Sequence, residues 1–164
     1  MNRINYIFHK IVLSLLGPII DFVRQYSSRR PFIKGSKSRV KIGDRVSLMD
    51  TIINVSSGDV EIGDDTIFGH GCILVTGVHE FEGGMRKKLF HRQHYSKEDV
   101  KEVPLNGYDI KIGSGCWITS NVTITGGVTV GNNVIIMAGA VVTKDIPSSS
   151  VVGGVPAKVV RRFD

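Results

Sequence analysis

Residues 112–146 read IGSGCWITSNVTITGGVTVGNNVIIMAGAVVTKDI, with an aliphatic residue at every sixth position. This first series consists of Ile112, Ile118, Ile124, Val130, Ile136 and Val142. A second series of small or aliphatic residues follows each of these by four places: Cys116, Val122, Val128, Val134, Ala140 and Ile146. Helices and strands repeat about every 3.6 and 2 residues, so neither explains the pattern. We predict an all-β solenoid, a parallel β-helix whose core both series face.

The same period is present earlier in the chain. Its leading residues are Ile42, Leu48, Ile62, Phe68 and Leu74, trailed by Val46, Ile52, Thr66, Cys72 and Val78. Between Leu48 and Ile62 the phase slips by two residues, which the turn-rich segment 56–59 can absorb. After Leu74 the period stops and resumes only at Ile112, so we predict one long loop over about residues 77–109. Long loops on a rigid scaffold are often functional.

The first 39 residues have a different composition and predict a basic amphipathic helical extension, ahead of a β-helix over residues 40–164. Apolar residues follow helical spacing at Ile4, Phe8, Ile11, Leu15, Ile19 and Phe22. Eight Lys and Arg residues stand against the single acid Asp21. Two interpretations stay open: the helix covers the end of the first coil, or it makes a peripheral contact with an anionic membrane surface.

Composition and charge narrow the classes of protein. The 164 residues suit one domain, and the formal net charge of +6 comes mostly from the N-terminal extension. Cys72 and Cys116 both occupy inward positions, so we expect buried thiols in a reducing compartment and a cytoplasmic protein. No cleavable signal peptide is expected. The basic residues are not interleaved with aromatic stacking groups, which argues against nucleic acid as a partner.

Two stretches resemble a known family. These are VEIGDDTIFGHGCILVTGVH at residues 60–79 and IKIGSGCWITSNVTITGGVTVGNNVIIMAGAVVTKDIPSSSVVGGVPAKVVRRF at residues 110–163. They are similar to the hexapeptide-repeat acyltransferases, and most of all to the acetyl-CoA-dependent O-acetyltransferases of sugars and surface polysaccharides. The resemblance implies a left-handed β-helix with a short C-terminal tail, acetyl-CoA as cosubstrate and a homotrimer. One departure is Thr119, where many relatives have glycine.

The resemblance also implies where the chemistry occurs. His79, at the root of the loop, would be the general base and would face the cofactor groove of the neighbouring subunit. An alcohol attacks a thioester poorly unless its proton is removed, and a neutral imidazole that removes it adds roughly 10²–10⁴-fold in rate. Ser120 would lie beside the acetyl thioester, Trp117 would line the acceptor and pantetheine cleft, and Asp50 would face the acceptor. His70 is assigned no role.

The remaining matched residues would bind coenzyme A. Thr143 and Lys144 would contact its adenosine end. Lys158 and Arg161 would approach its phosphates, for which mobile ammonium and forked guanidinium groups are suited. Ala138 and Gly139 are small positions where the cofactor would lie against the coil.

Three other functions remain open. The first is N-acetylation of an amino sugar or nucleotide sugar. The second is a zinc enzyme like the γ-class carbonic anhydrases, but catalytic zinc needs three protein ligands and residues 112–146 contain no histidine; we expect no metal. The third is a non-catalytic scaffold, against which His79, Trp117 and the VTKD element at 142–145 argue.

Overall fold

The computed structural model describes residues 14, 16–19, 30–77, 81–82, 85–86 and 104–163, with the backbone alone at 81–82 and 85–86. Contacts divide the chain into two compact units, Met1–Arg30 and Pro31–Asp164. Of the described residues of the first unit, 14 and 16–19 are helical and Arg30 lies in a bend. No helix in the described part of the chain is both long and apolar enough to span a membrane.

The second unit consists of short strands and one 3₁₀ turn at Lys37–Arg39. The strands are β1 (Phe32–Lys34), β2 (Val40–Ile42), β3 (Ile52–Asn54), β4 (Val60–Ile62), β5 (Ile67–Phe68), β6 (Ile73–Val75), β7 (Phe81–Glu82), β8 (Met85–Arg86), β9 (Ile110–Ile112), β10 (Trp117–Ile118), β11 (Thr123–Thr125), β12 (Thr129–Val130), β13 (Val134–Ile136), β14 (Val141–Val142), β15 (Ser150–Gly153) and β16 (Lys158–Arg162).

Three sheets form the faces of a prism. Face A has the strand order β1-β3-β6-β11-β14, face B has β12-β9-β4-β2, and face C has β16-β15-β13-β10-β5. All pairings within the faces are parallel except that of β15 with β16, which is antiparallel. The chain passes from A to B to C and back to A. Each complete circuit adds one strand to each face, while the first circuit has only a bridge at Ser47 on face C and the last only a bridge at Ile146 on face B. The predicted parallel β-helix is confirmed.

The core lies inside the prism. Both six-residue series from Ile112 to Ile146 are buried, with relative exposures of 0–6%. Equivalent residues stack from turn to turn, as in the register pairs Phe68 with Ile118 and Leu74 with Ile124. Burying an aliphatic side chain contributes about 1.5–3 kcal/mol, so the stacked series is the main stabilising feature. Burial also raises the pKa of the Cys72 and Cys116 thiols, which keeps them protonated.

The coil begins earlier than residue 40. Strand β1 pairs in parallel with β3, and Ile33 packs against the core in register with Ile53. Residues 32–39 therefore belong to the first turn and not to a helical extension. The sequence concealed this turn because its charged residues, Lys34, Lys37 and Arg39, read as part of the basic N-terminal segment.

The predicted inward position of Ile52 is wrong. Its side chain is 43% exposed, whereas Thr51 and Ile53 are fully buried. Ile53 is in register with Leu74, so the first turn passes from face C to face A with one residue fewer than the second. The Thr51 hydroxyl donates a hydrogen bond to the Leu48 carbonyl, and this satisfies the polar group that the shorter corner buries.

The long segment between β6 and β9 leaves and rejoins the prism at the corner between faces A and B. Within it, β7 and β8 pair with each other in antiparallel fashion and join no face. Arg39 holds the returning chain through bonds from its guanidinium to the Leu105 carbonyl at 2.8 Å and to Asn106 Oδ1 at 3.1 Å. The same group pairs with Asp59 at 2.6 Å.

Candidate functional site

One corner of the prism gathers several of the predicted site residues. It is the corner between faces C and A, and its successive turns present Asp50, His70, Ser120, Ala138 and Gly139, which we call the C–A column. Main-chain bonds join the turns here: Asn121 N donates to the His70 carbonyl at 2.8 Å, and Gly139 N donates to the Ser120 carbonyl at 3.0 Å. Four residues expected to contact substrate or cofactor (Asp50, Ser120, Ala138 and Gly139) therefore lie along one edge.

Small and left-handed residues make this corner possible. Gly71, Asn121 and Gly139 have φ values of 69°, 59° and 72°, a conformation that glycine and asparagine adopt most easily. Gly69 is required for a different reason: a Cβ there would lie 2.6 Å from the Ser120 nitrogen and 2.7 Å from its hydroxyl. The absence of a side chain at residue 69 lets the turns approach closely and sets Ser120 directly against the preceding turn.

Asp50 and His70 form a pair across two turns of the column. Asp50 Oδ1 lies 3.2 Å from His70 Nδ1 and accepts a hydrogen bond from Gly71 N at 2.9 Å. The bond from the Gly71 amide is the main cause that lowers the pKa of Asp50 from its ordinary value of 3.8, with a smaller contribution from His70. Sequence reasoning missed His70. The signal was its spacing of 20 residues from Asp50, which also separates the pairs Arg39–Asp59 and Arg45–Asp65.

The Ser120 hydroxyl has no hydrogen-bond partner among the described residues, and its side chain is half-buried. Its neighbour Thr119 behaves differently, because the Thr119 hydroxyl donates to the Ile136 carbonyl at 2.6 Å. The departure from glycine at this position is thus absorbed by a bond to the next turn. Ser120 is left as the hydroxyl of this corner that can meet a ligand.

Trp117 lies on the outside of face C and is 50% exposed. It stands in register between Ile67 and Ile135, and Ile67 is also 46% exposed. The indole therefore sits in a row of apolar residues on an open face, two to three positions before the C–A column. This placement suits either a ligand or a second protein surface.

The other predicted cofactor residues lie elsewhere. Thr143 and Lys144 follow β14 and are exposed at the corner between faces A and B, the corner that the long segment also uses. Lys158 and Arg161 are exposed on β16. Lys158 pairs with Gly153, the last residue of β15, and so lies at the end of face C next to the C–A column. The Arg161 guanidinium stacks 5.4 Å from the Phe163 ring centre. His79 lies outside the described residues.

Depressions on face B contain none of these residues. One of about 320 Å³ is lined by Lys41, Glu61, Asp64 and Ser114 among others. One of about 200 Å³ lies between Arg39, Asp59 and Lys111. Among the described residues there is no group of three or more His, Cys, Asp or Glu side chains arranged to hold a metal ion.

Known proteins share this architecture. The bacterial transferase hexapeptide family, with six repeats, matches residues 109–144. A galactoside O-acetyltransferase of Escherichia coli K12 is 33% identical over 127 residues, which are 77% of this chain and 56% of that protein. The resemblance to the hexapeptide-repeat acyltransferases is confirmed.

Two further proteins extend the comparison for this hexapeptide-repeat chain. A putative lipopolysaccharide biosynthesis O-acetyl transferase, WbbJ of Escherichia coli K12, is 28% identical over 123 residues, covering 74% of this chain and 59% of the relative. The solved structure of a galactoside acetyltransferase in complex with coenzyme A aligns with a TM-score of 0.65 and 29% identity, over 83% of this chain and 61% of that one. The chain spans less than two thirds of the length of each.

Proposed function

We propose that this protein transfers an acetyl group from acetyl-CoA to a hydroxyl of a sugar or a surface-polysaccharide unit. The observation that carries the proposal is the C–A column, in which the unpartnered Ser120 hydroxyl stands between the Asp50–His70 pair and the exposed small residues Ala138 and Gly139. Relatives that acetylate galactosides and take part in lipopolysaccharide synthesis support the substrate class. The parallel faces fit a left-handed β-helix.

Acetyl-CoA, the acetyl donor, would lie along the part of the C–A column from Ser120 to Gly139. Coenzyme A is a long chain with phosphates at one end, so it needs a groove without bulky side chains and cations beyond it. Ala138 and Gly139 leave such space, and a Cβ on Gly139 would meet no other atom within 4 Å. Lys158 and Arg161 supply positive charge at the end, where they can bind phosphate oxygens. Trp117 would flank the pantetheine, with Thr143 and Lys144 near the adenosine.

His79 would remove the acceptor proton. As the acceptor oxygen attacks the thioester carbonyl, the imidazole would take the hydroxyl proton. The tetrahedral intermediate would then collapse with cleavage of the C–S bond, and the departing thiolate of coenzyme A would take that proton from the imidazolium. His79 follows Gly77, which lies at the corner between faces A and B, whereas Ser120 lies at the C–A corner. Face A separates the two corners of one chain, so we propose that the site forms where two subunits meet.

The outer surfaces of the faces support a homotrimer. Faces A and C present apolar residues outward: Phe32, Ile52 and Ile73 on face A, and Ile67 and Trp117 on face C. Face B presents Lys41, Glu61 and Lys111 in register. Exposed apolar patches on a small domain mark interaction surfaces, and closed cyclic symmetry buries two different faces at once. In such a ring the loop of one subunit would reach the C–A column of the next.

The proposal is tested by measuring thiol release from acetyl-CoA with a panel of acceptors: galactosides, glucosides, amino sugars, nucleotide sugars and polysaccharide fragments. We expect acetylation of a neutral sugar hydroxyl, and a loss of roughly 10²–10⁴-fold in kcat for His79→Ala. His94→Ala, in the same loop, is the matched control and should keep its activity. Turnover that survives the change at His79 would remove it as the base, and a preference for amino sugars would replace O- with N-acetylation.

A further inference from the structure

The Asp50–His70 pair has two atoms whose hydrogen-bonding capacity is unused. Asp50 Oδ1 already accepts from Gly71 N and lies beside His70 Nδ1. Asp50 Oδ2 and His70 Nε2 have no bonding partner among the described residues, and the side chains are 36% and 62% exposed. Both side chains are therefore accessible to a ligand.

The protonation pattern of the pair follows from the geometry. An ionised carboxylate can only accept hydrogen bonds, so the hydrogen shared with Asp50 belongs to His70 Nδ1. In the neutral imidazole this leaves Nε2 as an acceptor. The pair thus presents two acceptors, one of them charged, and the ligand that matches them carries hydrogen-bond donors.

The position of the pair indicates which ligand that is. Along the C–A column His70 precedes Ser120 by one turn, while Ala138, Gly139 and Lys158 follow Ser120. If coenzyme A occupies the column on the Ala138 side of Ser120, the His70 side of Ser120 is left for the acceptor. We infer that Asp50 and His70 form the acceptor-binding pair of this chain and bind hydroxyl groups of a sugar through Asp50 Oδ2 and His70 Nε2. The inference rests on the proposed function.

Steady-state kinetics of the full chain test this with methyl β-galactoside, methyl β-glucoside and their monodeoxy analogues. For His70→Ala and Asp50→Asn we expect the KM for the sugar to rise about tenfold or more, with kcat changed less and the KM for acetyl-CoA unchanged. For the deoxy analogue that lacks the bound hydroxyl, each variant should have about the same KM as the unaltered protein. His70→Gln, which keeps an acceptor atom, should recover part of the affinity.

Asp65→Asn is the matched control. Asp65 pairs with Arg45 across the same two turns and at the same spacing of 20 residues, but at the corner between faces B and C. The Asp65→Asn variant should leave the KM for the sugar and the KM for acetyl-CoA unchanged. Trp117 is the only tryptophan in the chain, so its fluorescence reports folding and coenzyme A binding for each variant.

Two results would overturn the inference. One is an unchanged sugar KM in His70→Ala, and the other is a fall in kcat alone or a rise in the acetyl-CoA KM, which would place the pair in the chemistry or the donor site.

Saturation-transfer NMR with methyl β-galactoside measures binding without turnover. If no sugar is acetylated, the proposed function fails; sugar binding lost in His70→Ala would still support the pair, and no binding to the unaltered protein would reject both.

Discussion

At the scale of single residues, the close approach of turns at the C–A corner decides whether the column exists. Asp50, His70 and Ser120 come from different turns, and each contact depends on the backbone being near enough. Gly69 controls the approach of the second turn to the third, since any side chain there would collide with the Ser120 backbone and hydroxyl. Interiors packed at this density do not accept extra atoms without displacement.

Gly69→Ala should therefore destabilise the fold by about 1–3 kcal/mol and displace Ser120. Thermal unfolding gives the stability, and the KM for acetyl-CoA should rise in the same variant. Gly77→Ala is the comparison, because the nearest atom to a Cβ at that position is 3.5 Å away, an ordinary contact. Equal melting temperatures for the two variants would contradict the argument.

At the scale of elements, one side chain, Arg39, binds the described end of the long segment between β6 and β9 to the prism. Arg39 joins the first turn to Asp59 in the second and to Leu105 and Asn106 at the end of the segment. A guanidinium can make these bonds together because its donors point in several fixed directions, and a lysine cannot replace it. The returning end of the segment is thus held by a residue of the first turn.

Arg39→Ala should cost about 1–3 kcal/mol of stability and speed amide hydrogen exchange at residues 105–110. Arg39→Lys should recover little of either, because one ammonium cannot span the same partners. Arg45→Ala provides the control: its side-chain pair with Asp65 is exposed and bonds to no other described residue, so its loss should cost well under about 1 kcal/mol. Unchanged exchange at 105–110 in Arg39→Ala would show that these bonds are not needed.

At the scale of the whole molecule, the three faces of the prism differ in character. Faces A and C carry apolar residues on their outer side and flank the C–A column, whereas face B carries charged residues. A side chain that points out of the prism lies outside its core, so replacing it tests association with less effect on the fold than a core substitution. The proposed site needs residues from two corners, and assembly is therefore part of the catalytic proposal.

Ile67→Lys and Ile73→Lys, on faces C and A, should lower the mass in solution toward the 18.0 kDa of one chain. Light scattering after size-exclusion chromatography measures this, and acetylation should fall with the mass. Lys111→Glu on face B should change neither. A single-chain mass for the unaltered protein that still acetylates sugars would reject the shared site.

The sequence by itself determined the β-helix, its inward residues from Ile112 onward and the interruption after Leu74. It could do so because burial on one side of each coil repeats at a fixed local spacing. The tertiary structure alone decided that Ile52 points outward, that the first turn begins at β1, and that His70 pairs with Asp50. Those facts depend on how many residues each turn contains. Turn length sets which residues stack across the coil. The sequence shows the net phase slip between Leu48 and Ile62, but not that the corner from Leu48 to Ile53 is one residue shorter.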